Sequence, residues 1–131
     1  GSLGYPVRKL LILLFCLSAL QVKGMAEDVV SVRVDPAFQY APGNVRYVTR
    51  ITPHKDNIYY CVGWVSEDAH VYERASCQQL NGIYSPRTFY IEFKSLGLGN
   101  YEAFAEVYRA PNRLAGRARQ AFRILPPLGG Q

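Results

Sequence analysis

The chain has 131 residues, of which 49% are hydrophobic and 19% charged, with ten tyrosines and six phenylalanines. That suffices for one domain with a real core and is too short for two, and the aromatic enrichment favours strands. The formal charge of +5 falls to +2 beyond residue 26, where twelve basic residues meet ten acidic ones, so no general case for a nucleic-acid partner remains.

The N-terminus differs from the rest. Arg8 and Lys9 precede "LLILLFCLSAL", an apolar run from Leu10 to Leu20, shorter than the roughly 20 residues that span a bilayer. A basic start, a short apolar run and then small residues is the pattern of a secretory signal. Gly24 and Ala26 occupy the −3 and −1 positions for cleavage before Glu27; an uncleaved anchor is the alternative. Residues 1–26 are thus expected to be a signal peptide or N-terminal anchor, 27–125 the folded domain and 126–131 a tail. The expected location is secreted, either extracellular or periplasmic, with membrane contact only through an uncleaved N-terminal segment. Cys16 leaves with the signal, and Cys61 and Cys77 remain. An even pair in a secreted domain suggests a disulfide, worth about 3 kcal/mol for a loop of this size; two free buried thiols are the alternative.

Beyond Asp28, short runs of alternating polarity are separated by turn-forming residues. Strands are predicted at Val29–Val34, Val45–Thr52, Ile58–Ser66, Val71–Leu80, Arg87–Phe93, Tyr101–Arg109 and Ala115–Leu125. No window shows helical periodicity. Seven short strands at this spacing predict an all-β antiparallel sandwich, with a small closed barrel as the alternative. Alternation assigns the faces. Val30, Val32 and Val34 point inward, as do Val45, Tyr47, Thr49 and Ile51, then Ile58, Tyr60, Val62 and Trp64, then Phe89, Ile91 and Phe93.

In the sixth strand Tyr101, Ala103, Ala105 and Val107 share one parity, and Glu102 and Glu106 the other. The first set is therefore the core set. Tyr101 follows a glycine-containing corner, where it can bury its ring and return its hydroxyl to nearby backbone. The stretch "SLGLGNYEAFAEVY" resembles the corner and sixth strand of immunoglobulin-like and fibronectin type III-like sandwich domains, with Leu96, Gly99 and Tyr101 on the Leu-x-x-Gly-x-Tyr pattern. "DPAFQYAPGNVRYVTRITP" is similar to the first two strands of Ig-like modules in bacterial secreted proteins. The resemblance covers about residues 28–125 and implies architecture without naming an activity. It departs from the antibody pattern in its cysteines. Cys61 and Cys77 lie on the third and fourth predicted strands, so a bond would tie neighbours outside the usual core pin.

A hairpin centred between Asn112 and Arg113 would set Glu106 against Arg119, Glu102 against Arg123, Tyr108 against Arg117 and Tyr101 against Ile124. Charge and aromatic pairs of this kind contribute about 0.2–1 kcal/mol each, and they make this the expected register.

Arg109, Arg113, Arg117, Arg119 and Arg123 form one cationic cluster. It could receive an anionic partner; the plainer reading is two ion pairs plus an edge strand kept soluble. Tyr59, Phe104 and Tyr108 fall on the outward face with Arg117 and Arg119 beside them, the expected partner-binding residues. Ordinary cross-strand packing, or cover by Phe38 and Tyr40, is the alternative. His54 and His70 lie in different loops without the converging ligands that zinc needs, so no metal site is expected. No nucleophile elbow, phosphate loop or catalytic triad order appears. The sequence therefore predicts no catalytic residue, no cofactor and no enzyme. The expected function is a non-catalytic Ig-like structural or adhesive module meeting protein or glycan at a cell surface. The alternatives are a carbohydrate- or small-ligand-binding module, or a fibre subunit that keeps its N-terminal segment and self-associates.

Overall fold

A computed structural model describes residues 29–129. The expected signal or anchor, its cleavage point and Cys16 lie outside the described residues.

Among the described residues eight strands follow one another: β1 (Val30–Asp35), β2 (Phe38–Tyr40), β3 (Gly43–Ile51), β4 (Asn57–Ser66), β5 (Val71–Gln79), β6 (Thr88–Leu96), β7 (Gly99–Arg109) and β8 (Arg113–Leu125). A single 3₁₀ turn, Gly82–Tyr84, joins β5 to β6. They form two sheets: β1-β3-β6, here sheet one, and β2-β8-β7-β4-β5, sheet two. All pairings are antiparallel except that of β2, which runs parallel to the end of β8. This is a β-sandwich. The seven expected strands are present with shifted ends. The additional one, β2, has only three residues, too few for an alternation signal, and exists through its pairing with β8.

The inward faces follow the alternation. Val34, Val45, Tyr47, Thr49 and Ile51 of sheet one are buried against Tyr60, Val62, Ala103, Ala105, Val107, Phe122 and Ile124 of sheet two. The β7 alanines leave volume that larger rings fill. Trp64 stands opposite Ala103 on β4 and meets Phe93 of the facing sheet edge-on, with centroids 5.2 Å apart. Tyr47 likewise packs edge-on against Phe93 at 4.9 Å and Phe122 at 6.2 Å. Such T-shaped contacts add to area burial because ring edges and faces carry opposite partial charge. Its hydroxyl crosses the sandwich to donate to the Gly63 carbonyl at 2.8 Å.

The corner before β7 is built as the glycine and tyrosine suggest. The Tyr101 ring stacks on Phe122 at 5.0 Å and its hydroxyl donates to the Gly97 carbonyl at 2.7 Å. Gly99 has φ +148°, and a Cβ there would stand 2.6 Å from the Asp68 carboxylate, which accepts the Asn100 N–H at 2.8 Å.

The β7–β8 register differs from expectation by two residues. Tyr101 pairs with Phe122, Glu102 with Ala121 and Glu106 with Arg117. The turn is centred on Pro111, with Arg109 opposite Arg113, and a bulge between Val107 and Tyr108 takes up the remainder. A slip of two preserves which face each side chain takes, so alternation alone could not detect it. The ion pairs change owner accordingly: Glu106 takes Arg117, and Glu102 lies 3.7 Å diagonally from Arg119.

Candidate functional site: the outer face of sheet two

Cys61 and Cys77 are bonded across β4 and β5, with Cα atoms 4.1 Å apart. The bond ties neighbouring strands on the outer face, away from the core. From that bridge the β4–β5 ladder would run in step, but a bulge between Val62 and Gly63 shifts it, setting Arg74 opposite Gly63 and Tyr72 opposite Val65. A bulge re-aims the side chains beyond it. Here it turns Tyr72 and Arg74 to the outer face, beside Phe104, Glu106 and Tyr108 of β7.

Glu106 is the centre of this face. Although ionisable, it is 1% exposed. The Arg117 Nε donates to its Oε2 at 3.0 Å, and the Arg117 Nη2 makes a closer contact to the same oxygen. The Tyr72 hydroxyl donates to Oε1 at 3.0 Å, and the Arg74 Nη2 lies 3.7 Å from that oxygen. A buried carboxylate is tolerated when its lone pairs are filled this way. The effect is mutual. Hydrogen bonding to Glu106 raises the pKa of the Arg117 guanidinium, and burial followed by the bond to Glu106 raises that of the Tyr72 phenol.

Around this carboxylate the rings are already arranged. Tyr59 stacks on Tyr108 with centroids 4.6 Å apart and planes 13° from parallel. The Arg74 guanidinium lies 5.5 Å from the Tyr108 ring centre and donates to the Tyr108 hydroxyl at 2.7 Å. The Tyr59 hydroxyl donates to Asn112 at 2.9 Å. Phe104 is a correction to the expected contact set. It is 3% exposed, stacked beneath Tyr72 at 4.8 Å and lying against Gly63, so it is the floor of the face and unavailable to a partner.

The structure thus brings together Tyr59, Tyr108, Arg117 and Arg119 on one face, places Phe104 below it, and adds Tyr72, Arg74 and Glu106. The first two additions are invisible to simple alternation because the bulge flips their parity. Glu106 was visible only as one half of an ion pair. The cationic cluster is partly committed: Arg117 and Arg119 face glutamates, and the Arg109 Nε donates to Asn57 at 2.8 Å. His54 accepts the Asp56 N–H at 3.1 Å. Among the described residues no three of His, Cys, Asp and Glu converge as a metal centre would need.

No protein-family model matches the chain, and no curated protein matches its sequence. Solved structures do match in fold. The superoxide reductase (neelaredoxin) from Ignicoccus hospitalis aligns with a TM-score of 0.58 at 13% identity, over 73% of this chain and 80% of that one. A single-substitution variant of it aligns at 0.60 and 13%, over 79% and 85%. The PKD domain of an M14-like peptidase from a Thermoplasmatales archaeon aligns at 0.53 and 17%, over 74% and 93%. Identities this low show a shared sandwich fold and nothing of activity. They do overturn one expectation. The exclusion of an enzyme rested on missing local motifs, yet proteins of this same fold include superoxide reductases, so the missing motifs are no ground for that exclusion. The disulfide is compatible with an extracellular location.

Proposed function

We propose that this chain is an extracellular interaction domain that meets a protein partner through the outer face of sheet two. Tyr59, Tyr108 and Arg74 form the centre of the contact, and Arg117 and Arg119 its cationic rim. The observation that carries this reading is the Tyr59–Tyr108 stack beside Arg74, braced from below by buried Glu106. Tyrosine and arginine concentrate binding energy at interfaces, and side chains already held in place lose less entropy on association. A protein is favoured over a sugar because the Tyr108 ring is engaged by both Tyr59 and Arg74, which leaves less free ring face for a pyranose to stack on.

The test is retention of the labelled domain on intact cells of the organism that makes it, before and after protease or glycosidase treatment of the surface. Retention should be protease-sensitive and lost in Tyr108→Ala and Arg74→Ala, while Tyr90→Ala, on the opposite sheet, retains it. Absence of retention, or equal loss in all three variants, removes the proposal. Sensitivity to glycosidase alone transfers it to a glycan.

A further inference from the structure

The strand β8 is paired on only part of one side. Of its 13 residues, the run from Arg113 to Ile124 lies beside β7, but β2 covers the other side only at Arg123–Leu125. There the Arg123 N–H reaches the Ala37 carbonyl and the Leu125 carbonyl accepts the Ala41 N–H. The odd-numbered residues of this stretch therefore aim their backbone groups away from β7. Stepping back by twos, Ala121, Arg119 and Arg117 present N–H and C=O groups on the same side, where neither a ladder nor a loop hydrogen bond meets them among the described residues.

The surroundings of this edge are specific. On its outer side Arg117, Arg119 and Arg123 recur at alternate positions, Arg119 with 58% of its side chain exposed. On its inner side a groove of about 620 Å³ separates β8 from β1, lined by Val30, Val32, Ala115, Gly116 and Ala118 among others. At the Ala121 end, where β2 begins, lies a second hollow of about 420 Å³ with Phe38 and Leu125 in its wall. Phe38 is 68% exposed.

We propose that the open edge of β8 between Arg117 and Ala121 accepts an extended acidic peptide of a partner protein as a sixth strand of sheet two. Main-chain ladders supply affinity in such strand addition and alternate side chains supply selection. Acidic residues of the incoming strand would lie on the outer side with Arg117 and Arg119. Apolar residues between them would enter the groove between β8 and β1, beside Ala118 and Val32. A second copy of this chain is disfavoured as the occupant, because antiparallel β8–β8 pairing would oppose arginine with arginine. The inference deepens the interaction-domain reading, and rests on it, by assigning the partner's chemistry and mode of attachment.

The probe is a nine-residue peptide alternating glutamate and valine, titrated into the whole protein and followed by amide hydrogen exchange and chemical shifts. Binding should slow exchange at Arg117, Arg119 and Ala121 and weaken at least tenfold in Arg119→Glu. It should also weaken at least tenfold in Ala121→Pro, which removes an N–H on the open side and spares the β7 ladder. Amide spectra of both variants report that they fold. A peptide N-methylated on one edge should lose binding. Equal binding of the N-methylated peptide, protection elsewhere, or no binding at all overturns the proposal. The titration reads the edge alone, so its failure is distinct from failure of Tyr108-dependent retention on cells.

Discussion

Glu106 and Arg117 face each other across β7 and β8, and the two side chains are unequally wet: the carboxylate is 1% exposed and the guanidinium 40%. Removing either member therefore leaves a different remainder. Arg117→Met strands a buried carboxylate, with only Tyr72 and the more distant Arg74 to compensate it. Glu106→Gln leaves an arginine that can turn to water. Loss of one partner of a buried pair costs about 3–5 kcal/mol when the other stays buried, and about 1 kcal/mol is expected where only a hydrogen bond weakens. Arg117→Met should thus destabilise by about 2–4 kcal/mol, and Glu106→Gln by about 1 kcal/mol. Urea unfolding of both variants measures this, and the reverse order would disprove the unequal-burial account.

Alkaline pH should unfold the protein through its buried phenols. Burial raises the pKa of Tyr47 and takes that of Tyr60 to about 12. Below pH 10 both folded and unfolded chains keep these protons, and the contribution is fully present. Above pH 10 the unfolded chain releases protons that the folded chain holds, so stability falls as pH rises. The slope is up to about 1.4 kcal/mol per pH unit for each tyrosine until its folded value is reached. Urea midpoints between pH 9 and 12 should decline, and Tyr60→Phe should make the decline shallower. A flat profile contradicts the burial of both rings.

Gly63 should tolerate no side chain. A Cβ there would stand 1.9 Å from the Glu73 carbonyl oxygen and 2.9 Å from the Phe104 ring, both fixed. At Gly97 a Cβ would meet only the Tyr101 hydroxyl at 3.8 Å. Overpacking of the first kind costs about 3 kcal/mol or more, and the second substitution should cost less than about 1 kcal/mol. Thermal unfolding of Gly63→Ala and Gly97→Ala decides; similar midpoints would mean the bulge yields.

What could be seen from the residues alone divides along a physical line. Parity was legible because each buried strand carries it in its own side chains: Tyr47, Tyr60, Val62 and Ala103 point where alternation puts them. The Tyr101 corner was legible because glycine and tyrosine are both needed locally. Long-range register was not, since a two-residue slip between β7 and β8 keeps every face and changes only which arginine each glutamate meets. The bulge at Gly63 escaped for the opposite reason. One additional residue flips parity, and nothing near Tyr72 or Arg74 reports it. Phe104 alternates like a surface residue, and only the ring stacked above it makes it part of the interior. The exclusion of an enzyme failed because it asked for local motifs, whereas sandwich folds can assemble a site from segments distant in sequence.

The strand β5 borders only β4, and every residue in it except Ser76 is exposed. It nevertheless roofs Phe104 and supplies two of the groups around Glu106. The Cys61–Cys77 bridge clamps this outlying strand to the rest. In a compartment that keeps thiols reduced, the roof would rest on its ladder to β4 and on the contacts of Tyr72 and Arg74 with Phe104, Glu106 and Tyr108, and would loosen before the two-layer body does. A reduced chain would then keep its two-layer fold while the groups around Glu106 lose their register.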